Sequence, residues 1–234
     1  MRLTETLSQA PTPFVQTPPA VIEDPLAHLP VSAIGEYRRG ETIYGTGKPS
    51  AGLYVVLAGK VKVCREAADG QQVVVDVYQT DDFFGESALV GAPSNEFAVA
   101  LDSVRVMSWN AKDIRDLSLR RPELGLSLLQ LSVGRSVEFA NRIQSFSLEN
   151  IENRLIGALL RFSDKLGAPA NDGGREMIAF THELISQYVG TSREIVTHYM
   201  NALRRKQCLN YSRKSIVVYD RALSQLAERG GIAA

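Results

Sequence analysis

The chain has 234 residues, 44% of them hydrophobic, and its 26 basic and 26 acidic side chains cancel. That composition suits one large or two modest folded domains, excludes a disordered or fibrous chain, and argues against a surface coated throughout with nucleic-acid-binding charge. No apolar stretch approaches the roughly 18 residues that span a bilayer, so no membrane association is expected. The start of the chain lacks the apolar segment of a secretory signal, which makes the cytoplasm the expected location.

Six of the ten prolines fall in the first thirty residues, so residues 1–32 read as a disordered Pro-rich arm, with His28 exposed within it. Over residues 33–110 short β-branched and aromatic runs (41–44, 53–57, 60–64, 73–78 and 97–106) alternate with glycine-bearing turns. Asp69-Gly70 between two of them is a hairpin signal. This is the pattern of an all-β sandwich or barrel. Residues 111–149 form a connecting segment dominated by a long helix that Pro122 starts. One of its stripes holds Leu126, Leu129, Val133, Ala140 and Ile143, and a second holds Leu124, Leu128 and Leu131. One stripe can cover the β domain while the other meets a second subunit; a plain core helix is the alternative.

From residue 150 the pattern changes again. Asn150 is an N-cap for a helix over 151–166 that ends at Gly167. A short strand at 176–180, two short helices separated by Gly190, and a strand pair at 208–211 and 215–219 follow. Helix, turn, helix, hairpin is the order of a winged DNA-binding domain, here 150–222, leaving 223–234 as a tail. From Glu152 onward there are 12 Lys or Arg against 8 Asp or Glu, so this half is basic and the front half acidic. Cys64 and Cys208 lie too far apart for a disulfide framework or a local metal pair, and both read as buried free thiols.

The segment TSREIVTHYMNALRRK, residues 191–206, carries the functional signal. Val196, Tyr199, Met200 and Leu203 recur at i, i+3, i+4 and i+7 and define a buried face. Arg193, Glu194, Thr197, His198 and Asn201 then face outward from the first turns, where a recognition helix enters the major groove. Arg193 suits a guanine and Glu194 a cytosine amino group. A carboxylate aimed at polyanionic DNA lowers general affinity, so its presence points to sequence specificity. Thr191 and Glu194 fit a capping box, with Ser192 as the alternative cap or a phosphate contact. Thr181 and His182 open the preceding helix, and Arg213 and Lys214 at the hairpin tip supply phosphate contacts.

These motifs resemble the CRP/FNR family of bacterial transcription regulators over residues 33–220. The front is similar to the family's cyclic-nucleotide-type β-roll through GETI (40–43), Asp69-Gly70 and DFFGESAL (82–89), and the back to its helix-turn-helix through GTSRE (190–194). The resemblance implies an α+β chain with an N-terminal antiparallel, jelly-roll-like β-roll, a long dimerisation helix and a C-terminal winged helix-turn-helix. It also implies a homodimer reading a palindromic operator in double-stranded DNA, and contact with RNA polymerase if the protein is an activator.

The effector side departs from the cAMP-binding pattern. Where those members place an Arg-Ser pair for the cyclic phosphate, this chain has Glu96-Phe97; where they place helix hydroxyls for adenine, it has Phe139-Ala140. A carboxylate repels a phosphate, so tight cAMP binding is not expected although Glu86 is retained. A pocket of Gly85, Glu86, Ser87, Ala88, Phe97 and Phe139 either takes another small ligand or is filled by its own side chains, the second being preferred. No cofactor or metal is expected. An enzyme is disfavoured because no nucleophile elbow, phosphate loop or metal-ligand spacing appears. A small-molecule-binding module acting through protein contacts is the remaining alternative.

Overall fold

A computed structural model of the chain describes residues 24–229, apart from 46, 47, 49, 51 and 92–94. The first 23 residues of the expected Pro-rich arm lie outside that set. Residues 24–32, placed in the same arm, are instead packed: a 3-10 turn, Pro25–His28, is capped by the Asp24 carboxylate, which accepts from the Leu26 N–H at 2.9 Å. Leu26 and Leu29 cover a cluster around Trp109, whose indole N–H donates to the Pro30 carbonyl at 2.8 Å. A buried indole needs an acceptor, and this backbone supplies it, which is why a segment without local periodicity is nonetheless fixed. His28, expected exposed, is half-buried.

The β domain is two facing antiparallel sheets. One orders β1 (Ala33–Tyr37), β8 (Val104–Asn110), β3 (Gly52–Ala58) and β6 (Phe83–Phe84); the other orders β2 (Thr42–Tyr44), β7 (Glu96–Ala100), β4 (Val61–Glu66) and β5 (Gln72–Tyr78). The run expected as one strand over 97–106 is two, broken by a turn between β7 and β8. Asp69-Gly70 turns the β4–β5 hairpin as expected: Gly70 has φ +82° and the Asp69 carboxylate accepts from the Gln71 N–H at 3.0 Å. Between the sheets Tyr44, Tyr54, Phe84 and Tyr78 stack at centroid spacings of 5.1–6.1 Å, among Ile43, Val56, Val63 and Val106.

Asn110 precedes α1 (Ala111–Arg120), and after a break at Arg121 the 27-residue α2 (Pro122–Leu148) begins at a proline. Its two apolar stripes separate as the spacing predicts. Leu124 is fully buried and Leu128 and Leu131 pack on the β domain, whereas Leu126, Leu129, Val133 and Ile143 are 51–65% exposed.

The C-terminal domain contains α3 (Ile151–Leu166), β9 (Ala168–Pro169), β10 (Arg175–Ile178), α4 (His182–Val189), α5 (Arg193–Arg205), β11 (Leu209–Tyr211), β12 (Ser215–Val218) and α6 (Asp220–Arg229). Asn150 and Thr181 cap α3 and α4 through their side chains. The residues expected as a tail from 223 continue α6. Leu223 is fully buried and Leu226 half-buried against the domain core, and Asp220 accepts from the Ser163 hydroxyl at 2.8 Å. Both Cys64 and Cys208 are buried free thiols; burial pushes the Cys64 thiol up to about 11.

The two domains share one apolar cluster. A bulge opposite Val63/Cys64 resets the alternation of β5, so Val74 and Val77 both turn outward with Cys64 onto the C-terminal core. Around this contact runs a polar network. Asp76, 5% exposed, accepts from Arg161 and Lys165 of α3, each at 3.1 Å; Lys165 also pairs with Asp82 at 3.2 Å, and Arg161 with Glu138 of α2 at 2.8 Å. Arg142 of α2 binds three carbonyls: Nη1 donates to Val75 (2.7 Å) and Nη2 to Val74 (2.8 Å) and Tyr188 (2.6 Å), with the guanidinium 3.9 Å from the Tyr188 ring centroid. Removing a buried carboxylate strands its cations, and the part-exposure of Arg161 and Lys165 reduces that cost. Asp76→Ala is therefore expected to lower stability by about 2–3 kcal/mol, as read by denaturant unfolding, whereas Glu36→Ala, at an exposed pair with Arg105, stays within about 0.5 kcal/mol.

Candidate nucleic-acid interface and effector cavity

In α5, Val196, Met200 and Leu203 are at most 1% exposed and Tyr199 is half-buried, so the helix lies on the domain by the face its spacing predicts. Arg193, Glu194, His198 and Asn201 are exposed along the other side. The capping-box pairing through Thr191 does not form. Ser192 is the N-cap, accepting from the Ile195 N–H at 3.4 Å, and Glu194 is bound locally instead. Its own backbone N–H and then the Ser192 hydroxyl hold the Glu194 carboxyl below its ordinary value, so it stays charged at the exposed N-terminal end of α5.

Thr197, expected to face DNA, is half-buried and its hydroxyl is engaged. It donates to the Arg193 carbonyl at 2.8 Å and lies 2.8 Å from His182 Nδ1. Since that hydroxyl has one proton and gives it to the Arg193 carbonyl, Nδ1 donates the second bond, so in the neutral ring the proton sits on Nδ1. His182 thus clamps α4 to α5 and stands edge-on to Tyr211 at 5.4 Å. Tyr211 in turn donates to Asn201 Oδ1 at 2.9 Å, leaving the Asn201 amide N–H groups outward. Gly190, at φ +72° with Phe146 Cε1 3.0 Å from where a Cβ would stand, makes the tight turn between the helices.

Arg213 and Lys214 are exposed at the β11–β12 tip, which Ser212 fixes by accepting from the N–H groups of Lys214 (3.1 Å) and Ser215 (3.2 Å). Exposed Thr181 and half-buried His182 lie with Arg193, Tyr211 and Arg213 around one surface cleft, joined by Arg39 from the β1–β2 turn. Arg39 carries no local motif; only the docking of the domains brings it there.

The second feature is an open cavity of about 670 Å³ between the β-roll and α2. Gly85, Glu86, Ser87 and Phe139 line it as expected, but Ala88 and Phe97 do not. Ala88 lies on the 3-10 turn Glu86–Leu89 away from the cavity, and alternation along β7 turns Glu96, Ala98 and Ala100 inward and Phe97 out toward the Cys64 cluster. The cavity's two carboxylates are already committed, and Arg65 and Arg142 line it as well. Glu96 accepts from the Tyr44 hydroxyl (2.6 Å) and the Ser87 hydroxyl (3.0 Å), and Glu86 pairs with Arg135 of α2, which also donates to the Phe83 carbonyl and lies 5.0 Å from the Tyr78 ring centroid. Burial, then the adjacent Glu96, push the Tyr44 phenol far up, so it remains a donor. Sequence reading missed Arg135 and Arg142, although two arginines seven residues apart on the Phe139 side of an apolar helix were a usable signal. Among the described residues no cluster of His, Cys, Asp and Glu could hold a metal ion, and no helix is long and apolar enough to cross a membrane.

Family models match both parts: a cyclic nucleotide-binding domain over residues 34–121 and a Crp-like helix-turn-helix domain over 153–223. A global nitrogen regulator of Synechocystis sp. is 30% identical over 193 residues, covering 81% of this chain and 86% of its own. The chain belongs to the CRP/FNR family of transcription regulators. Another relative, a CRP-like cAMP-activated global transcriptional regulator of Mycobacterium tuberculosis, is 27% identical over 186 residues, covering 79% of this chain and 83% of its own. Among solved structures, FixK2 from Bradyrhizobium japonicum superposes with TM-score 0.74 at 20% identity, over 88% of this chain and all of that one. A CRP/FNR-family regulator from Thermus thermophilus gives 0.68 at 26%, over 84% and 98%.

Burial, then the neighbouring Arg193, hold His182 below its ordinary value of 6.5. As pH falls through 6.5 the unfolded chain takes up a proton that the folded chain resists, so stability declines on acidification until the folded pKa is reached. Unfolding free energies measured from pH 7.5 to 5 should show this decline, and His182→Asn should remove that part of the slope.

Proposed function

We propose that this CRP/FNR regulator acts as a homodimer reading a palindromic operator in double-stranded DNA, with α5 as the reader. The observation that carries this reading is the exposed row Arg193, Glu194, His198 and Asn201, mounted on fully buried Val196, Met200 and Leu203. Ser192, Thr181, Arg213 and Lys214 lie where phosphates flank such a helix, and Thr197 and His182 set its pose. The exposed stripe Leu126, Leu129, Val133, Val137 and Ile143 is the face that a second α2 would cover, placing two reading helices about 34 Å apart. RNA polymerase is the further partner if the protein activates, and the cytoplasm, where the DNA lies, is its place of action.

The M. tuberculosis relative is named for activation by cAMP. In this chain Glu96 and Glu86 line the cavity alongside Arg65 and Arg142; Glu96 is held by Tyr44 and Ser87 and Glu86 by Arg135, so a cyclic phosphate set against Glu96 would meet a carboxylate where cAMP-binding members supply an arginine. The reading is therefore that cAMP is not the effector and no cofactor is assigned; the cavity, expected to be filled by its own side chains, is open, which favours a different small molecule as its occupant.

Selection of bound sequences from a random DNA pool should yield an inverted repeat whose definition does not change with micromolar cAMP. Arg193→Ala and Glu194→Ala should each cost about 1–3 kcal/mol on the selected site and relax preference at one base position per half-site. Unchanged affinity and preference would reject α5 as the reader, and binding to no fragment at low salt would favour a module acting through protein contacts. Val133→Glu, a charge in the middle of the exposed stripe, should convert the protein to monomers in sedimentation and abolish the inverted-repeat preference while leaving each domain folded.

A further inference from the structure

A crevice of about 230 Å³ separates α2, α3 and α4 at the junction of the long helix with the DNA-binding domain. It adjoins the β-roll cavity, sharing Arg142 and Phe146 with it as a common wall. Three arginines line it: Arg142 from α2, and Arg154 and Arg161 from α3. The Nε–H of each is shielded from solvent and has no hydrogen-bond acceptor. Buried donors are paired in more than about nine cases in ten, so three such atoms around one crevice form a coherent set.

The crevice carboxylates do not serve them. Glu138 accepts from Arg161 Nη2 at 2.8 Å, and Glu149 Oε2 accepts from the Ser145 hydroxyl at 2.6 Å. Arg142 spends its two Nη atoms on the carbonyls of Val74, Val75 and Tyr188. Arg154 makes no ion pair or side-chain hydrogen bond among the described residues. Its guanidinium lies 5.3 Å from the Phe146 ring centroid, and that of Arg142 lies 5.4 Å from the same centroid, so the two converge on one aromatic side chain. Arg142 is lowered from its ordinary value, by burial first and also by the like charge of Arg161.

We infer that this crevice binds a compact oxyanion, the phosphate or carboxylate group of a small molecule, against the guanidinium of Arg154 with Arg142 and Arg161 beside it, a side-chain shift on binding opening their shielded, unpartnered Nε–H groups to the ligand. Guanidinium groups pair with such oxygens through short charge-assisted bonds. Because the donors come from α2 and α3, the bound anion ties the long helix to the first helix of the DNA-binding domain, next to the Arg142–Tyr188 bond that holds α4. Binding of the anion itself does not depend on the proposed function, and its test contains no DNA.

The full-length protein is titrated with inorganic phosphate, and separately with acetate, against sodium chloride of equal ionic strength, and the heat is followed by calorimetry. Saturable binding of at least one oxyanion beyond the chloride control is expected. It should weaken by about tenfold or more in Arg154→Gln, the loss of one charge-assisted bond or more, and be kept in Arg193→Ala on the DNA-facing helix. Arg154 has no hydrogen bond to forfeit and only its Phe146 contact to lose, so Arg154→Gln should remain folded and unfold cooperatively in chloride, with a melting temperature lowered by a few degrees at most. The assignment is overturned by the absence of saturation with either anion, by equal binding in Arg154→Gln, or by loss of binding in Arg193→Ala.

Discussion

Two buried charges from different parts of the chain hold this molecule in one arrangement. Asp76 projects from the β-roll into α3 and is met by Arg161 and Lys165; Arg142 projects from α2 and gathers carbonyls from β5 and α4. Taking such groups out of water costs several kcal/mol each, a cost offset only when both partners are in place. Apolar contact of Val74, Val77 and Cys64 with the C-terminal core holds the domains together without prescribing one angle. The ion pairs and the Arg142 carbonyl bonds prescribe it, because they tolerate little displacement before a buried charge is left unpaired.

The pose of the recognition helix depends on that arrangement at one remove. Arg142 binds the Tyr188 carbonyl near the end of α4, Gly190 turns the chain against Phe146 of α2, and His182 bonds Thr197 to lock α5 to α4. A change at α2 therefore reaches the reading face through contacts that each have named acceptors. Phe139 and Arg142, three residues apart, both border the β-roll cavity, so the same short stretch of helix meets the cavity and the DNA-binding domain.

In the β-roll cavity, the inherited shape and the chemistry diverge. Gly85, Glu86 and Ser87 keep the turn of the cyclic-nucleotide fold, with Gly85 at φ +83°. The polar groups, however, satisfy one another: Glu86 with Arg135, Glu96 with Tyr44 and Ser87. An anionic ligand set against Glu86 or Glu96 would have to displace acceptors with further acceptors, which is unfavourable in a partly desolvated site; the cavity's arginines, Arg65 and Arg142, come from β4 and α2 instead.

The amino-acid sequence alone determined most of the elements, though not the break between β7 and β8 or α6, and the two faces of α5 apart from Thr197. Spacings of three and four residues, caps at Asn150 and Thr181, and the Asp69-Gly70 turn are local physics, and each stands where the pattern placed it. The departure at Glu96-Phe97 from the cAMP-binding pattern was legible only through the family resemblance. Tertiary structure decided what depends on partners distant in the chain. It packed residues 24–32 beneath Trp109, extended α6 through the supposed tail to bury Leu223, turned Phe97 and Ala88 from the cavity, and drew the Thr197 hydroxyl to His182. It also brought Arg39 to the DNA-facing cleft and made Arg142 and Asp76 the joints between domains. None of these follows from periodicity, because the direction of a strand side chain after a bulge, and the acceptor a buried donor finds, are set by which surfaces meet.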